Sequence, residues 1–344
     1  MVSGKRLRDE EDGGAIRKAV ISSVGVGLLQ ISVPMDKPLR LVNSYLLYDE
    51  TDRVTIIDPG PHSLETELAW EDTLYRLDLS WAQIQQVVVT HHHPDHYGLA
   101  GWIQERSSCE VWMSERAHAE ALLMWGDDSR MNEALPLMFS QHGMPEHFIK
   151  EIKGHLEYFK PQVTPQPNVS YITAFEPFKM GHCMWLPIFT GGHAPGHVSF
   201  FNSENGYMIC GDAVLPQISP NVSLLPGSDP EPLQIFLEGL RELGGYEVSL
   251  AFPGHREPFT GFANRVDSLL LHHEERLNAA EALLADGPLS GFELCEVLFR
   301  GRVSSIHQMR FALSETLAHM VELIRRGRAV QIERDHGFVF SSAK

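Results

Sequence analysis

Short apolar runs and one amphipathic segment alternate through the first 90 residues of the chain. β-Branched and alternating apolar positions, separated by prolines and by Asp58-Pro59-Gly60, predict strands at 19–33, 42–48, 54–57 and 86–89. Ser63 precedes leucines at helical spacing over 64–77, which predicts a capped helix. The first three runs are typical of an antiparallel meander that opens a sheet.

The same rhythm of strands and helices continues and then repeats in the second half of the chain. Helices are predicted at 97–105, 115–125, 232–243 and 262–285, and strands at 110–113, within 184–210 and at 249–252. Glu204-Asn205-Gly206 is a hairpin signal. The repeated plan predicts an α/β protein in which two sheets stack face to face and helices cover both outer surfaces.

Two segments depart from this plan. A helical insertion is predicted over about 115–165, because methionines and aromatic residues recur at helical spacing from 126 onwards. After the break at Gly287-Pro288, helices at 290–299 and 305–326 and strands at 329–332 and 338–341 resemble a winged helix. We therefore expect a disordered polar tail at 1–16, a main domain at 17–286 and a small winged-helix-like domain at 287–344.

Composition favours a folded, cytosolic protein. Of the 344 residues 43% are hydrophobic and 21% are charged, which is ordinary for a globular chain. The four cysteines have no paired spacing, no secretory signal opens the chain, and no apolar run approaches the roughly 20 residues of a membrane helix. We expect reduced thiols, a cytoplasmic location and no membrane partner.

Charge argues against a polyanionic partner. The formal net charge is −17, although residues 288–344 contain eight Arg and Lys against six Asp and Glu. Nucleic-acid binding is therefore disfavoured for the whole chain and stays open only for its C-terminal region.

Potential metal ligands cluster after predicted strands. The segment His91-x-His93-x-Asp95-His96 places four within six residues, immediately after the strand at 86–89. Three more residues lie beside glycine at strand ends, namely His193, Asp212 and His255. Neutral imidazoles and ionised carboxylates are ligands that suit zinc, and manganese or iron could use the same set.

These motifs resemble the metallo-β-lactamase superfamily over roughly residues 20–275. Within it, the segments 90–96 and 190–197 look most like glyoxalase II, the hydroxyacylglutathione hydrolases. The resemblance implies a four-layer αββα sandwich with two metal ions. One ion would be held by His91, His93 and His193, the second by Asp95, His96 and His255, and Asp212 would bridge them.

The resemblance also implies roles for residues behind the ligands. Asp58 is similar to the family's carboxylate that lies behind the ligands and orients a ligand histidine. His197 is predicted to lie behind the ligands or to be structural, and His92 to point away from the ions. Tyr97 is expected to pack beneath the loop, and His62, His118, His142, His147 and His182 to lie on the surface or in a lid. His272 and His273, on a helix, should be solvated.

The expected activity is hydrolysis of an ester, thioester or lactone of a small-molecule acyl substrate. A hydroxide that bridges the two ions would attack the carbonyl, with Asp95 and Asp212 as the catalytic carboxylates. Asp95 would orient the water and pass a proton to the leaving group. This mechanism requires no protein nucleophile, and the absence of a Gly-x-Ser-x-Gly elbow from the chain fits it.

Two alternatives remain open at the level of sequence. The segment 211–222 and the C-terminal region resemble a narrower group that includes bacterial uncharacterised hydrolases and a mitochondrial endoribonuclease. A nuclease could grip phosphates with Arg302, Arg310, Arg325, Arg326 and Arg328. Alternatively, a regulatory protein could keep the hydrolase fold and use the winged helix to bind DNA or to form a homodimer.

Overall fold

A computed structural model describes residues 17–343 except 26, 37, 38 and 336. The predicted polar tail at 1–16 therefore lies outside the described residues. Within the described part, the predicted α/β architecture is confirmed: two large sheets pack face to face, and helices cover their outer surfaces.

The first sheet contains seven strands in chain order. They are β1 (Val20–Gly25), β2 (Leu28–Pro34), β3 (Leu41–Tyr48), β4 (Val54–Ile57), β5 (Ile84–Val88), β6 (Glu110–Met113) and β7 (Val169–Tyr171). The strands β1–β4 pair antiparallel, and β4–β7 pair parallel. The single run predicted at 19–33 is wrong in one respect: the chain turns at Gly27, whose φ of 67° suits glycine, and forms a hairpin.

The second sheet contains five strands in the order β12-β11-β10-β9-β8. They are β8 (Phe178–Met180), β9 (Cys183–Thr190), β10 (His197–Asn202), β11 (Tyr207–Gly211) and β12 (Leu250–Pro253). The predicted hairpin at Glu204-Asn205-Gly206 joins the antiparallel strands β10 and β11. The pair β11 and β12 is parallel, so both strands end at the same edge of the sheet.

Alternating side chains divide the core into layers. Tyr45 and Leu47 of β3 lie between the two sheets with Phe200 and Phe252, whereas Leu46 faces the helices. This alternation follows from the two-residue period of a strand. β3 and β4 of this sheet are almost entirely buried on both faces, which fixes their register and the position of their ends.

Ten α-helices occur in the described part of the chain. They are α1 (Leu64–Arg76), α2 (Pro94–Tyr97), α3 (Ala100–Ser107), α4 (Glu115–Trp125), α5 (Met131–Gln141), α6 (Glu146–Phe159), α7 (Pro232–Gly244), α8 (Phe262–Leu283), α9 (Gly291–Leu298) and α10 (Ile306–Arg325). α1 and α3 cover the first sheet, and α7 covers the second with α8 against it. Ser63 caps α1 as predicted, accepting the backbone N–H of Thr66.

The C-terminal region packs tightly onto the rest of the chain. Its three-stranded sheet contains β13 (Leu289–Ser290), β14 (Ala329–Arg334) and β15 (Gly337–Ser342). α10 contacts α6, α7, α8, α9 and β14, so most of its surface is buried. The division into domains at 286 and 287 and the winged-helix assignment both stay predictions.

Two features of composition bear on the environment of the protein. All four cysteines lie in the described part and are free thiols, as predicted. No helix formed by the described residues is both long and apolar enough to cross a bilayer.

Some histidines that were expected on the surface are buried, so those predictions were wrong. His142 packs against Phe340. His273 is fully buried between α8 and α10, where its ring stacks on His319 at 5.3 Å between centroids. An amphipathic helix of 22 residues shows two polar histidines side by side, but only the position of α10 decides which of them is buried.

The buried pair forms a chain of hydrogen bonds between uncharged groups. His319 Nδ1 donates to the carbonyl oxygen of Glu315, and His273 Nδ1 lies 3.2 Å from His319 Nε2. Burial and the neighbouring imidazoles lower the pKa of His273 to about 2, and burial lowers that of His319 to about 3. Both rings are therefore neutral in the folded protein.

This pair should make the free energy of unfolding depend on pH. The unfolded histidines have a pKa near 6.5, so below pH 6.5 the unfolded state binds protons that the folded state excludes. Stability from this source is complete above about pH 7 and is lost as the pH falls. For each buried histidine, the free energy of unfolding should fall by about 1.4 kcal/mol when the pH is lowered from 7.5 to 5.5.

Urea unfolding of the wild-type protein and of a His273→Leu/His319→Leu double variant at these two pH values measures the effect. The double variant should lose less stability on acidification, while His182→Gln, at an exposed histidine, should match the wild type. An equal loss in all three proteins would contradict the assignment.

Candidate metal centre

Seven predicted ligands converge where strands of both large sheets end. They are His91, His93, Asp95 and His96 after β5, His193 in the turn between β9 and β10, Asp212 after β11, and His255 after β12. Parallel strands end at one edge of a sheet, so the pairs β4–β5 and β11–β12 bring residues distant in sequence together. Asp58, which follows β4, lies directly behind this cluster.

Two groups of three potential ligands share no residue. His91, His93 and His193 form one group, and Asp95, His96 and His255 form the other. In each group the potential ligand atoms lie within 4.8 Å of one another. A third group within the same limit, formed by His91, His96 and Asp212, joins the two.

Asp212 lies between the two groups. Its Oδ2 is 3.7 Å from His193 Nε2, 3.6 Å from His96 Nε2 and 3.4 Å from His255 Nε2. Ligands about 2.0–2.2 Å from one tetrahedral zinc ion lie about 3.3–3.6 Å apart. These separations therefore suit a carboxylate that shares cations with histidines of both groups.

Each of four histidines has its Nδ1 occupied by a partner outside the cluster. His193 Nδ1 lies 2.8 Å from the carbonyl oxygen of Asn221, and His255 Nδ1 lies 2.9 Å from that of Leu41. A carbonyl oxygen only accepts, so Nδ1 carries the proton in both rings. In the neutral tautomer this leaves an Nε2 lone pair directed at the cluster.

Asp58 imposes the same tautomer on the other two histidines. Its Oδ2 lies 2.9 Å from His96 Nδ1 and accepts the hydroxyl of Thr90 at 2.7 Å. Because the Thr90 hydroxyl donates its hydrogen bond to Asp58, its oxygen accepts one from His91 Nδ1 at 2.9 Å. One buried carboxylate thus orients two potential ligands, one in each group.

Unpartnered polar atoms show that these residues fit a cation. His96 Nε2, His193 Nε2, His255 Nε2 and Asp212 Oδ1 are all buried and have no hydrogen-bond partner among the described residues. Leaving a buried acceptor unpaired costs about 1–3 kcal/mol each. Several such atoms that converge on one place indicate a site built for positive ions.

The charges of the cluster are strongly coupled. Burial, together with neighbouring imidazoles, holds the pKa of His91 and His93 well below the usual range. Burial alone would raise the pKa of Asp212, but His255 and His96 hold it well below the usual range.

Burial lowers the pKa of His96 and His255, but the carboxylates of Asp212 and Asp95 outweigh it and raise the pKa of His96 well above the usual range and that of His255 to about 10. Metal ions bind neutral imidazoles and ionised carboxylates, so a bound ion must displace the protons from these two rings.

Residues that sequence reasoning missed hold the backbone of the cluster. A Cβ on Gly254 would lie 2.2 Å from Asp212 Oδ1, so only glycine lets the His255 loop pass. Asn43 Nδ2 and the Tyr45 hydroxyl both donate to the carbonyl oxygen of Pro253, at 3.0 and 2.7 Å. Alternation along β3 predicts that Tyr45 points inwards, but no sequence motif predicts its hydrogen bond to Pro253 in the other sheet.

The remaining residues near the motif take different positions. His197 Nε2 accepts the backbone N–H of Asp212 at 3.2 Å, which holds the main chain at Asp212 in place. Tyr97 is fully buried beneath the loop and lies outside the cavity. His92 is buried and belongs to none of the three ligand groups, although its ring lies near His93.

A cavity of about 450 Å³ opens onto the cluster. Asp95, His93, His193, Asp212 and His255 line one part of it. The rest is largely apolar, with Met35, Leu39, Met124, Trp125, Phe159, Leu215, Leu225 and Phe311 among its walls. Potential ligands therefore meet an apolar pocket of the size that a small organic molecule fills.

Comparisons with known proteins give the family that the chain matches. Residues 38–255 match the metallo-beta-lactamase superfamily, and residues 277–343 match the metallo-beta-lactamase-like C-terminal domain. A metallo-beta-lactamase family protein from Thermus thermophilus is 31% identical, with a TM-score of 0.82 over 93% of this chain and 100% of that one. A beta-lactamase domain protein from Burkholderia ambifaria is 30% identical, with a TM-score of 0.84 over 94% of each chain.

Curated relatives are more distant. The probable metallo-hydrolase YqjP of Bacillus subtilis is 26% identical over 85% of this chain and 91% of its own. The hydroxyacylglutathione hydrolase GloC of Haemophilus influenzae is 24% identical over 50% of this chain and 66% of its own.

Replacing Asp58 tests the geometry behind the cluster. In Asp58→Asn, the amide has one acceptor oxygen instead of two and cannot accept from the Thr90 N–H, the Thr90 hydroxyl and His96 Nδ1 together, so His91 and His96 lose their fixed orientation. We expect metal affinity to fall about 10- to 100-fold, the usual effect of losing such a partner. Competition with a chromophoric chelator measures it.

Asp49→Asn is the matched control, because Asp49 is also buried and accepts backbone N–H groups, but in the turn between β3 and β4. Its metal affinity should equal that of the wild type. Equal affinity in both variants would show that Asp58 does not orient the ligands.

Proposed function

The chain belongs to the metallo-beta-lactamase superfamily, and on that premise we propose that it is a hydrolase with two metal ions that cleaves the ester or thioester bond of an acyl substrate. The observation that carries this proposal is the pair of ligand groups joined by Asp212 at the wall of a largely apolar cavity. Lactones, which are cyclic esters, fall within the same chemistry.

Two zinc ions suit the donor set. Histidine nitrogens outnumber carboxylates in the cluster, and no cysteine belongs to any of the three ligand groups. Such a set is typical of zinc, while manganese and iron can also use it. We assign His91, His93 and His193 to one ion, Asp95, His96 and His255 to the other, and Asp212 to both.

Divalent ions in these positions would supply a water of lowered pKa as nucleophile and would stabilise the negative charge that develops on the carbonyl. Asp212 and the histidines hold their positions through hydrogen bonds behind them. Asp95 has a side chain that is 19% exposed, whereas those of His96 and His255 are almost fully buried. Its carboxylate can therefore orient the attacking water and deliver a proton to the leaving group.

The cavity favours an acyl substrate. Apolar side chains from the insertion, from the C-terminal helix and from the strand ends form its walls, as in pockets that bind organic molecules. Met131, Phe139, Ile152 and Leu156 of the insertion belong instead to the core. Two parts of the insertion reach the cavity, namely the end of α4, with Met124 and Trp125, and the end of α6, with Tyr158 and Phe159.

Three of the five arginines that a nuclease could use form ion pairs with glutamates. Arg326 pairs with Glu322 and Glu274, and Arg328 pairs with Glu281. Arg325 also pairs with Glu322. These pairs leave fewer cations free for a phosphate backbone, which supports acyl hydrolysis over the nuclease alternative.

The packing of α10 bears on the regulatory alternative. A recognition helix that enters a DNA groove must present one long exposed face. α10 instead packs against four helices and one strand, and thirteen of its twenty residues are buried. The burial of α10 disfavours DNA binding through this helix and so supports the hydrolase proposal over the regulatory alternative.

Hydrolysis by metal-analysed protein tests the proposal directly. The panel contains hexanoyl thioesters of coenzyme A and glutathione, a lactone, 4-nitrophenyl esters and a short RNA. We expect about two metal ions per chain and turnover of esters or thioesters that stops on treatment with a chelator. His93→Ala should lower kcat/KM by about 100-fold or more, because stabilisation of charge by a metal ion is worth several kcal/mol.

His182→Ala, at an exposed histidine outside the cavity, is the matched control and should retain both metal and activity. Turnover of RNA alone would overturn the acyl-hydrolase proposal. A single bound ion in a fully active preparation would overturn the assignment of two ions.

A further inference from the structure

One arginine in the cavity has no counter-charge. Arg310 of α10 lines the cavity and is only 9% exposed. Its Nη1 is buried without a hydrogen-bond partner, and no carboxylate of the residues the structure describes forms an ion pair with the guanidinium. A buried, unpaired charge is costly and is uncommon unless a ligand completes it.

The groups around Arg310 are neutral. The guanidinium lies over the rings of Phe159 and Phe311, at 5.3 and 4.5 Å from their centroids. His307 Nδ1 lies 3.2 Å from His155 Nε2, and burial together with Arg310 lowers the pKa of each ring to about 4. These imidazoles are uncharged near neutral pH, so they add no second positive charge, and they supply no negative charge to balance the guanidinium.

Arg310 differs in this respect from other arginines around it. Arg276, also close to α10, pairs with Glu315, and Arg116, which approaches the cavity from α4, pairs with Glu120 and Asp229. Arg265 has no acidic partner among the described residues but donates to the carbonyl oxygens of Leu215 and Ile218. Arg310 thus retains a free donor that shares a cavity with the candidate metal centre.

We propose that Arg310 binds an anionic group of the substrate, a carboxylate or a phosphate, while the scissile carbonyl lies at the metal centre. The inference rests on the proposed hydrolase function and narrows its substrate class. The substrate is then an ester or thioester with an apolar portion and a negative charge away from the reacting bond. A guanidinium presents two parallel donors, which match both kinds of anion.

A purely structural role for Arg310 makes a different prediction. Contacts with Phe159 and Phe311 stabilise the folded chain as cation–π interactions. If they were the whole purpose of the residue, replacing it would change stability and leave the preference among substrates unchanged. Substrates that differ only in charge therefore separate the two roles.

The first experiment compares matched substrates on metal-loaded wild type, Arg310→Met, Arg310→Lys and Arg300→Met. Arg300 is exposed, lies outside the cavity and serves as the control. 4-Nitrophenyl hexanoate and the mono-4-nitrophenyl ester of adipic acid test a carboxylate on the acyl chain. Hexanoyl thioesters of N-acetylcysteamine, glutathione and coenzyme A test carboxylates and phosphates on the leaving group.

We expect the wild type and Arg300→Met to prefer an anionic substrate over its neutral counterpart in one of these two series. In Arg310→Met that preference should fall by about 10- to 100-fold, mainly through KM, as expected for losing a hydrogen bond to a charged group. Activity on the neutral substrate should fall less than activity on the anionic one, because the neutral substrate makes no charged contact with residue 310. Arg310→Lys, which keeps the positive charge but not the two parallel N–H donors, should retain part of the preference for the anionic substrate.

The second experiment is independent of turnover. Calorimetric titration of adipate and of inorganic phosphate into the metal-loaded proteins should show binding to the wild type and Arg300→Met that is weakened in Arg310→Met. Thermal unfolding checks that each variant is folded. Binding that depends on Arg310 without any ester or thioester hydrolysis would uphold the anion site and overturn the proposed function.

Metal-dependent hydrolysis with an unchanged charge preference in Arg310→Met would overturn the anion site and leave the proposed function standing. A uniform loss of activity on neutral and anionic substrates, without a change in anion binding, would also overturn it.

Discussion

The structure depends on the fixed orientation of four imidazoles whose outer nitrogens each have a partner. His91, His96, His193 and His255 have Nδ1 occupied by a hydroxyl, a carboxylate or a carbonyl, so each directs an Nε2 lone pair inwards. Buried lone pairs that face one another are unfavourable without a cation between them. These lone pairs thus lower the stability of the fold unless positive ions bind between them. The folded chain and the bound metal should accordingly stabilise each other.

The two sheets provide this orientation because they bring strand ends together. Asp58 follows one strand of the first sheet, and its carboxylate fixes His96 directly and His91 through Thr90. From the second sheet, Asp212 arrives with His197 behind it, while Tyr45 crosses between the sheets to hold the loop before His255. Rigid elements and buried supports are what a precise metal site requires. This explains why polar groups persist beside a well-packed apolar core.

The C-terminal region contributes to the cavity as well as to the fold. α10 is buried on most sides and extends the wall that the insertion begins, where Arg310 meets Phe159. A helix that only stabilised the chain could bury apolar side chains there at lower cost. On the proposal made for Arg310, its guanidinium pairs with an anionic group of the substrate, so that one helix would serve both the fold and the substrate specificity.

The sequence alone determined much of this protein, because local patterns specify local structure. Periodicity located most strands and helices, and the ligands of His91-x-His93-x-Asp95-His96 were evident from type and spacing. Patterns did not show the short strands β7 and β8, the burial of His273, or the supports at Gly254 and Tyr45. Those features depend on contacts between residues far apart in the chain. Likewise, Arg310 was one basic residue among several until the folded chain paired Arg325, Arg326 and Arg328 with glutamates and left Arg310 without an acidic partner among the described residues.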